Sequence, residues 1–296
     1  MAKASPVDGL DGRTPLDEAA RRTLTVRLLD VRRYEQPVLN ARDADAVHDM
    51  RVATRRLRAA IKMFQTRRTL DEASAEVKSL GRALGLVRDL DVQLEWLGAA
   101  LDGASGDERT GIAQLHTERA ARVDEPVRQL EQAVLRWSSD VVPGLERAFA
   151  KVRGRGRLGG RHLRGQITRR LRSMERAADA VVASPDPHTA HQLRIVVKKL
   201  RYEAELLELG LPAEVKPILE ALAPLQALLG DLHDTDERQA LLERTLLTAP
   251  AVDQPGTLFL LRRVLGDRER LAAELLVDLR RWQAERVGKA LRAPLK

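Results

Sequence analysis

The chain has 296 residues, 44% hydrophobic and 32% charged, a balance that suits soluble amphipathic helices with real cores and excludes a disordered chain. It has no cysteine, which excludes disulfides, thiolate catalysis, zinc-thiolate sites and iron–sulfur clusters, and its 3% of aromatic residues argues against base stacking as the main mode of recognition. A net charge of +8 and a pI near 10.1 point toward an anionic partner, and the preference for Arg over Lys fits either a GC-rich genome or phosphate recognition by planar forks of donors.

Residues 1–15 are polar, contain Gly and Pro, and read as a disordered tail without signal-peptide character. No apolar run approaches a membrane span, and the expectation is a cytoplasmic protein. Helical periodicity follows over roughly 16–36, 44–68, 72–101 and 108–149, then over 160–183, 187–209, 214–247 and 256–292. Breaks are supplied by Pro37, by Gly103 to Gly106, by Ser184 to Pro187, by Gly210 to Pro212 and by Ala249 to Gly256. Pro126, Pro143, Pro217 and Pro224 fall inside or near helical patterns and mark first turns or kinks. No segment alternates as a strand does, so the fold class is all-α, with a four-helix half over 16–152, a Gly/Arg linker over 153–160 and a second four-helix half over 161–293.

The two halves repeat one another. Residues 47–64, VHDMRVATRRLRAAIKMF, align without gaps on residues 190–207, AHQLRIVVKKLRYEAELL, so that His48 meets His191, Arg51 meets Arg194 and Arg58 meets Arg201. At the same offset Arg21, Leu24, Arg27, Leu28 and Val31 match Arg164, Ile167, Arg170, Leu171 and Met174. After two extra residues, Leu84, Gly85, Asp89 and Asp91 match Leu229, Gly230, Asp234 and Asp236, and Arg136-Trp137 matches Arg281-Trp282. Matches recurring in the same order along the chain point to an internal duplication.

At about 100° per residue, Met50, Thr54, Leu57, Ile61 and Phe64 share one side of their helix as a core stripe. His48, Arg51, Arg55, Arg58 and Lys62 fall in an arc of roughly 80° beside it. In the second half Leu193, Val197, Leu200, Ala204 and Leu207 form the stripe, and His191, Arg194, Lys198 and Arg201 the basic arc, which Glu205 ends where Lys62 continues the first. Cations three and four apart repel by a few tenths of a kcal/mol per pair, roughly, so such a column needs either acidic partners on neighbouring helices or a bound anion. Helical geometry leaves both readings open.

The acids Asp89, Asp91, Asp234 and Asp236 have two readings as well. They hold the arginines in place, or they bind Mg²⁺ and act as acid and base in a phosphohydrolase. Residues two apart do not share a helix face, which favours the first. His48 and His191 stand near helix starts, a good position for anions, and have no second His or carboxylate four residues on, so no metal site is assigned. No phosphate loop, nucleophile elbow, HExxH or dinucleotide fingerprint is present. The basic linker and following helix, Arg153 to Arg172, serve equally as a nonspecific polyanion contact or a solvated hinge.

The segments VHDMRVATRRLR (47–58), LGLVRDLD (84–91), HQLRIVVKKLRY (191–202) and LGDLHD (229–234) together resemble the CHAD family, the conserved-histidine α-helical domain, over residues of about 16 to 292. The resemblance implies two four-helix bundles related by pseudo-two-fold symmetry, a basic groove between them, binding of inorganic polyphosphate and association with polyphosphate granules. It carries a ligand role onto His48, Arg51, Arg55, Arg58, His191, Arg194, Lys198 and Arg201, and a secondary one onto Arg56, Lys62 and Lys199. It implies a stand-alone, non-enzymatic binding protein without cofactor. Nucleic-acid binding and metal-dependent phosphohydrolysis are the alternatives.

Overall fold

The computed structural model describes residues 4–41, 43–65, 70–248, 250 and 254–295. The described chain is all-α: α1 (Leu16–Arg32), α2 (Glu35–Ala41), α3 (Ala44–Phe64), α4 (Asp71–Leu101), α5 (Gly106–Ala120), α6 (Asp124–Arg136), a π-turn (Trp137–Val141), α7 (Val142–Ala150), α8 (Arg161–Ala183), α9 (Pro187–Leu207), α10 (Pro212–Leu246), α11 (Gln254–Ala284) and α12 (Val287–Arg292). Among the described residues there is no strand, only a lone antiparallel bridge between Pro15 and Arg157. The expected helix over 108–149 is three helices. A turn at 121–123 ends α5, Pro126 sits in the first turn of α6, and Pro143 begins α7 after the π-turn, because a proline suits a first turn and interrupts the ladder anywhere later. Pro37 lies in the first turn of α2 and breaks nothing, whereas Pro217 and Pro224 lie inside α10. The expected end of the second helix at 66–68, residues 1–3 of the tail, and 249 and 251–253 of the last break lie outside the described residues.

The chain divides into two compact units, Met1–Leu94 with Arg119–Gly160, and Glu95–Glu118 with Arg161–Lys296. Residues 95–118, in the first half of the sequence, thus pack in the second unit.

In the first unit α1 packs along α3 and α7. The stripe Met50, Thr54, Leu57, Ile61 and Phe64 is buried with Leu24, Leu28, Leu84 and Phe149, each large apolar side chain adding about 1.5–3 kcal/mol by burial. Asp43 caps α3, its carboxylate accepting from the Asp45 amide at 2.9 Å. From Ser5 onward the expected loose tail is held. Val7 is buried, the Ser5 amide donates to Asp30 Oδ2 at 3.3 Å, and Arg27 bonds both the Ser5 carbonyl at 2.9 Å and Asp30 at 2.5 Å. The linker is held too, with Leu158 buried and its amide donating to the Thr14 carbonyl at 3.0 Å. The π-turn brings Trp137 inward, where its indole Nε1–H donates to buried Glu35 at 3.1 Å.

In the second unit α8 packs on α9, α9 on α10 and α10 on α11, and α11 returns to α8. The stripe Leu193, Val197, Leu200, Ala204 and Leu207 is buried inside this ring. Arg170 of α8 grips Glu203 of α9 through Nε and Nη2 at 2.7–3.0 Å, an ion pair that satisfies a carboxylate only 8% exposed. The end of α4 and α5 join through Leu97, Ile112 and Leu115, packed on Leu242, Leu260 and Val264. Trp96 lies beneath the Arg238 guanidinium, 5.1 Å from ring centre to charge.

Candidate functional site

The basic arc of α3 stands beside the core stripe, as helical periodicity requires. His48, Arg51, Arg55, Arg56 and Arg58 are half-buried and Lys62 is exposed. Arg51 reaches across to α4, where its guanidinium lies over Gly85, about 3.8 Å from where a Cβ would stand, and pairs with Asp89 at 3.3 Å. Arg58 has its Nε buried without a hydrogen-bond partner. Burial, and then the Arg88 charge on α4, hold the His48 imidazole below its ordinary pKa, so it is neutral near pH 7 in the absence of ligand.

The arc of α9 begins behind a stronger cap. Asp186 accepts from the His188 and Thr189 amides at 2.9 and 3.0 Å, with Thr189 returning the bond in a capping box, and Pro187 opens the helix. His191 is exposed, Arg194, Lys198 and Arg201 are half-buried, and Lys199 is exposed. His191 faces His233 of α10, ring centres 5.5 Å apart, and the two line a small cleft with Arg194, Leu229, Leu232 and Asp236. Burial, and then Arg194, push the His233 pKa down. The Asp236 carboxylate accepts from Arg268 of α11 at 2.7 Å. Arg201 turns along its own helix to Glu205 at 3.1 Å.

Each unit therefore carries its basic arc on one face of its own helix, while Arg56 and Lys199 stand about 100° round the helix from Arg55 and Lys198, off that face. The repeat places His48 beside Arg88 and His191 beside His233, at corresponding positions. The acids divide: Asp89 holds a predicted ligand arginine, while Asp236 serves Arg268, which sequence reasoning missed because it lies far along the chain in a helix with no motif. Among the described residues no group of three or more His, Cys, Asp or Glu side chains is placed to hold a metal ion. Chemically the faces offer rows of fixed cationic donors, suited to oxyanions spaced along a line.

A family model described as the CHAD domain matches residues 22–243, most of the chain. The chain belongs to the CHAD domain family. The solved structures agree on the fold of this CHAD domain. The crystal structure of the CHAD domain from the plant Ricinus communis superimposes with a TM-score of 0.63 at 24% identity, covering 100% of this chain and 96% of that one. PptA from Streptomyces chartreusis superimposes with a TM-score of 0.66 at 17% identity, covering 91% of this chain and 100% of that one. No curated protein matches the sequence. No helix among the described residues is long and apolar enough to cross a membrane.

Proposed function

We propose that this CHAD domain is a non-catalytic binder of inorganic polyphosphate, acting in the cytoplasm at polyphosphate granules. The observation that carries the reading is the repetition of one cation face, His48, Arg51, Arg55 and Arg58 on α3, and His191, Arg194, Lys198 and Arg201 on α9. Same-sign side chains three and four apart cost stability on both helices, and a chain of phosphates at regular spacing offsets that cost along a whole face at once. Family membership and the resemblance of the motifs favour polyphosphate among phosphate polymers.

Binding is tested by titrating the full chain with long-chain polyphosphate and with orthophosphate. Long-chain polyphosphate is expected to bind far more tightly, with affinity falling steeply as salt rises. Arg51→Ala combined with Arg194→Ala is expected to cost about a hundredfold or more, from two charge-assisted contacts of roughly 1.5–3 kcal/mol each. A folded double variant that binds normally sinks the assignment of the faces. RNA or DNA displacing polyphosphate at equal phosphate concentration replaces the ligand with a nucleic acid. Release of phosphate in the presence of Mg²⁺ or Mn²⁺ replaces binding with hydrolysis.

A further inference from the structure

Trp137 and Trp282 occupy the same place in the sequence repeat, yet their surroundings differ. In the first unit the Trp137 indole N–H donates to Glu35 Oε1 at 3.1 Å, and Ser138 Oγ donates to Glu35 Oε2 at 2.9 Å. At the offset that aligns Val31 with Met174, Ala178 stands for Glu35, and next to Trp282 Gln283 stands for Ser138. Trp282 Nε1 is buried and has no hydrogen-bond partner. A pocket of about 410 Å³ opens at this point between α8, α11 and α12, with Ala178, Trp282 and Gln283 in its wall. The second unit keeps the donor and lacks the carboxylate.

Four cations surround the gap: Arg172 and Arg176 from α8, Arg286 at the corner between α11 and α12, and Lys289 from α12. Among the described residues none of the four is in an ion pair. The acids in the wall are already occupied, Glu175 by Arg292 and Asp179 by Gln283 Nε2, the latter at 2.6 Å. The corner itself is built at a cost. Arg286 has φ of 52°, a left-handed backbone that side-chain-bearing residues rarely adopt, and a Cβ on Gly288 would collide with the Glu175 carboxylate. This corner brings the short helix carrying Lys289 against α8.

We propose that this pocket binds a small phosphorylated molecule, its phosphoryl oxygens accepting from Trp282 Nε1–H where the Glu35 carboxylate stands in the first unit. Arg172, Arg176, Arg286 and Lys289 neutralise the phosphoryl charge. Four cations call for a multiply charged group in place of a single carboxylate. The volume lies in the range of about 300–1,000 Å³ typical of small-molecule sites, and exceeds what orthophosphate fills. The site is separate in its residues from the α3 and α9 faces.

The test titrates the full chain with ribose 5-phosphate, with inorganic phosphate and with ribose. Saturable binding of ribose 5-phosphate is expected, with ribose inert. Ala178→Glu restores the carboxylate beside Trp282 and is expected to weaken ribose 5-phosphate by about tenfold or more, the worth of one charge-assisted contact, while long-chain polyphosphate affinity stays within about twofold. Trp282→Phe removes the N–H alone and is the second variant, expected to weaken binding about fivefold. Absence of saturable binding, ribose binding as well as its phosphate, or variants that bind like the parent chain each overturn the proposal.

Discussion

The faces of α3 and α9 share a sequence pattern and differ in the partners that neighbouring side chains supply to their cations. On α3, Arg58 keeps a buried Nε without a hydrogen-bond partner, and the column runs on to exposed Lys62. On α9 the equivalent Arg201 is tied to Glu205, which stands where Lys62 stands on α3. The other end differs as well. Arg51 is paired with Asp89 across Gly85, whereas Gly230, the equivalent glycine, has open space beside it and the α9 face opens into the cleft of His191 and His233. Two faces of shared sequence pattern thus meet different neighbours along their length.

The largest expected effect breaks this comparison at its distal end. Arg58→Ala is expected to weaken polyphosphate binding by about tenfold or more, the loss of one charge-assisted contact, whereas Arg201→Ala costs about threefold because Glu205 already takes part of its charge. Equal losses in a titration of the two variants would show that the Glu205 pair is irrelevant to the ligand. Next comes the ion pair that fixes α9 to α8. Glu203→Gln is expected to cost about 1–2 kcal/mol in denaturant unfolding, because Arg170 loses a bidentate partner but is 41% exposed and keeps its solvation on one side. Polyphosphate affinity is expected to be unchanged, since Glu203 faces the core; a large loss of affinity would mean that α9 is displaced. A smaller effect sharpens the comparison. Glu205→Lys copies the α3 pattern onto α9, releases Arg201, and is expected to raise affinity about threefold at low salt, an advantage that disappears as salt screens the added charge.

Much of the fold was legible because amphipathic periodicity reports directly on burial. The stripes Met50 to Phe64 and Leu193 to Leu207 are buried, as their spacing requires. The turn at 121–123 was not legible, since apolar spacing continues through it and only the prolines at 126 and 143 hint that one helix is three. The held tail was missed because Val7 and Ser5 belong to no pattern in the sequence, and only the fold supplies Arg27 and Asp30 as partners. At the candidate site the cations could be located from helix geometry, but their partners could not. Asp89, which pairs with Arg51, and Asp236, which pairs with Arg268, hold different positions in the repeat, and which acid finds which arginine depends on the neighbouring helix that comes within reach. Trp282 carried no signal until the missing carboxylate at Ala178 could be set beside Glu35.

The smallest effect concerns His48, at the head of the α3 face, and His233 of α10, beside the head of the α9 face. His48 and His233 are both held below the ordinary imidazole pKa, by burial first and then by Arg88 and Arg194. The folded protein therefore resists protonation more than the unfolded chain, whose histidines titrate near 6.5. Below that value the unfolded chain binds more protons, so stability is full above about pH 6.5 and declines as pH falls toward the depressed folded values. Bound phosphate acts in the opposite sense. Its negative charge beside His48 restores the proton affinity that burial and Arg88 remove, so binding takes up a proton and tightens over the same interval. Between about pH 7.5 and about pH 5.5 the Tm of the ligand-free protein is expected to fall while polyphosphate affinity rises a few-fold, and His48→Gln with His233→Gln is expected to flatten both curves. If the double variant keeps the affinity rise, the proton is taken up elsewhere, and the histidines position the faces without touching the polymer.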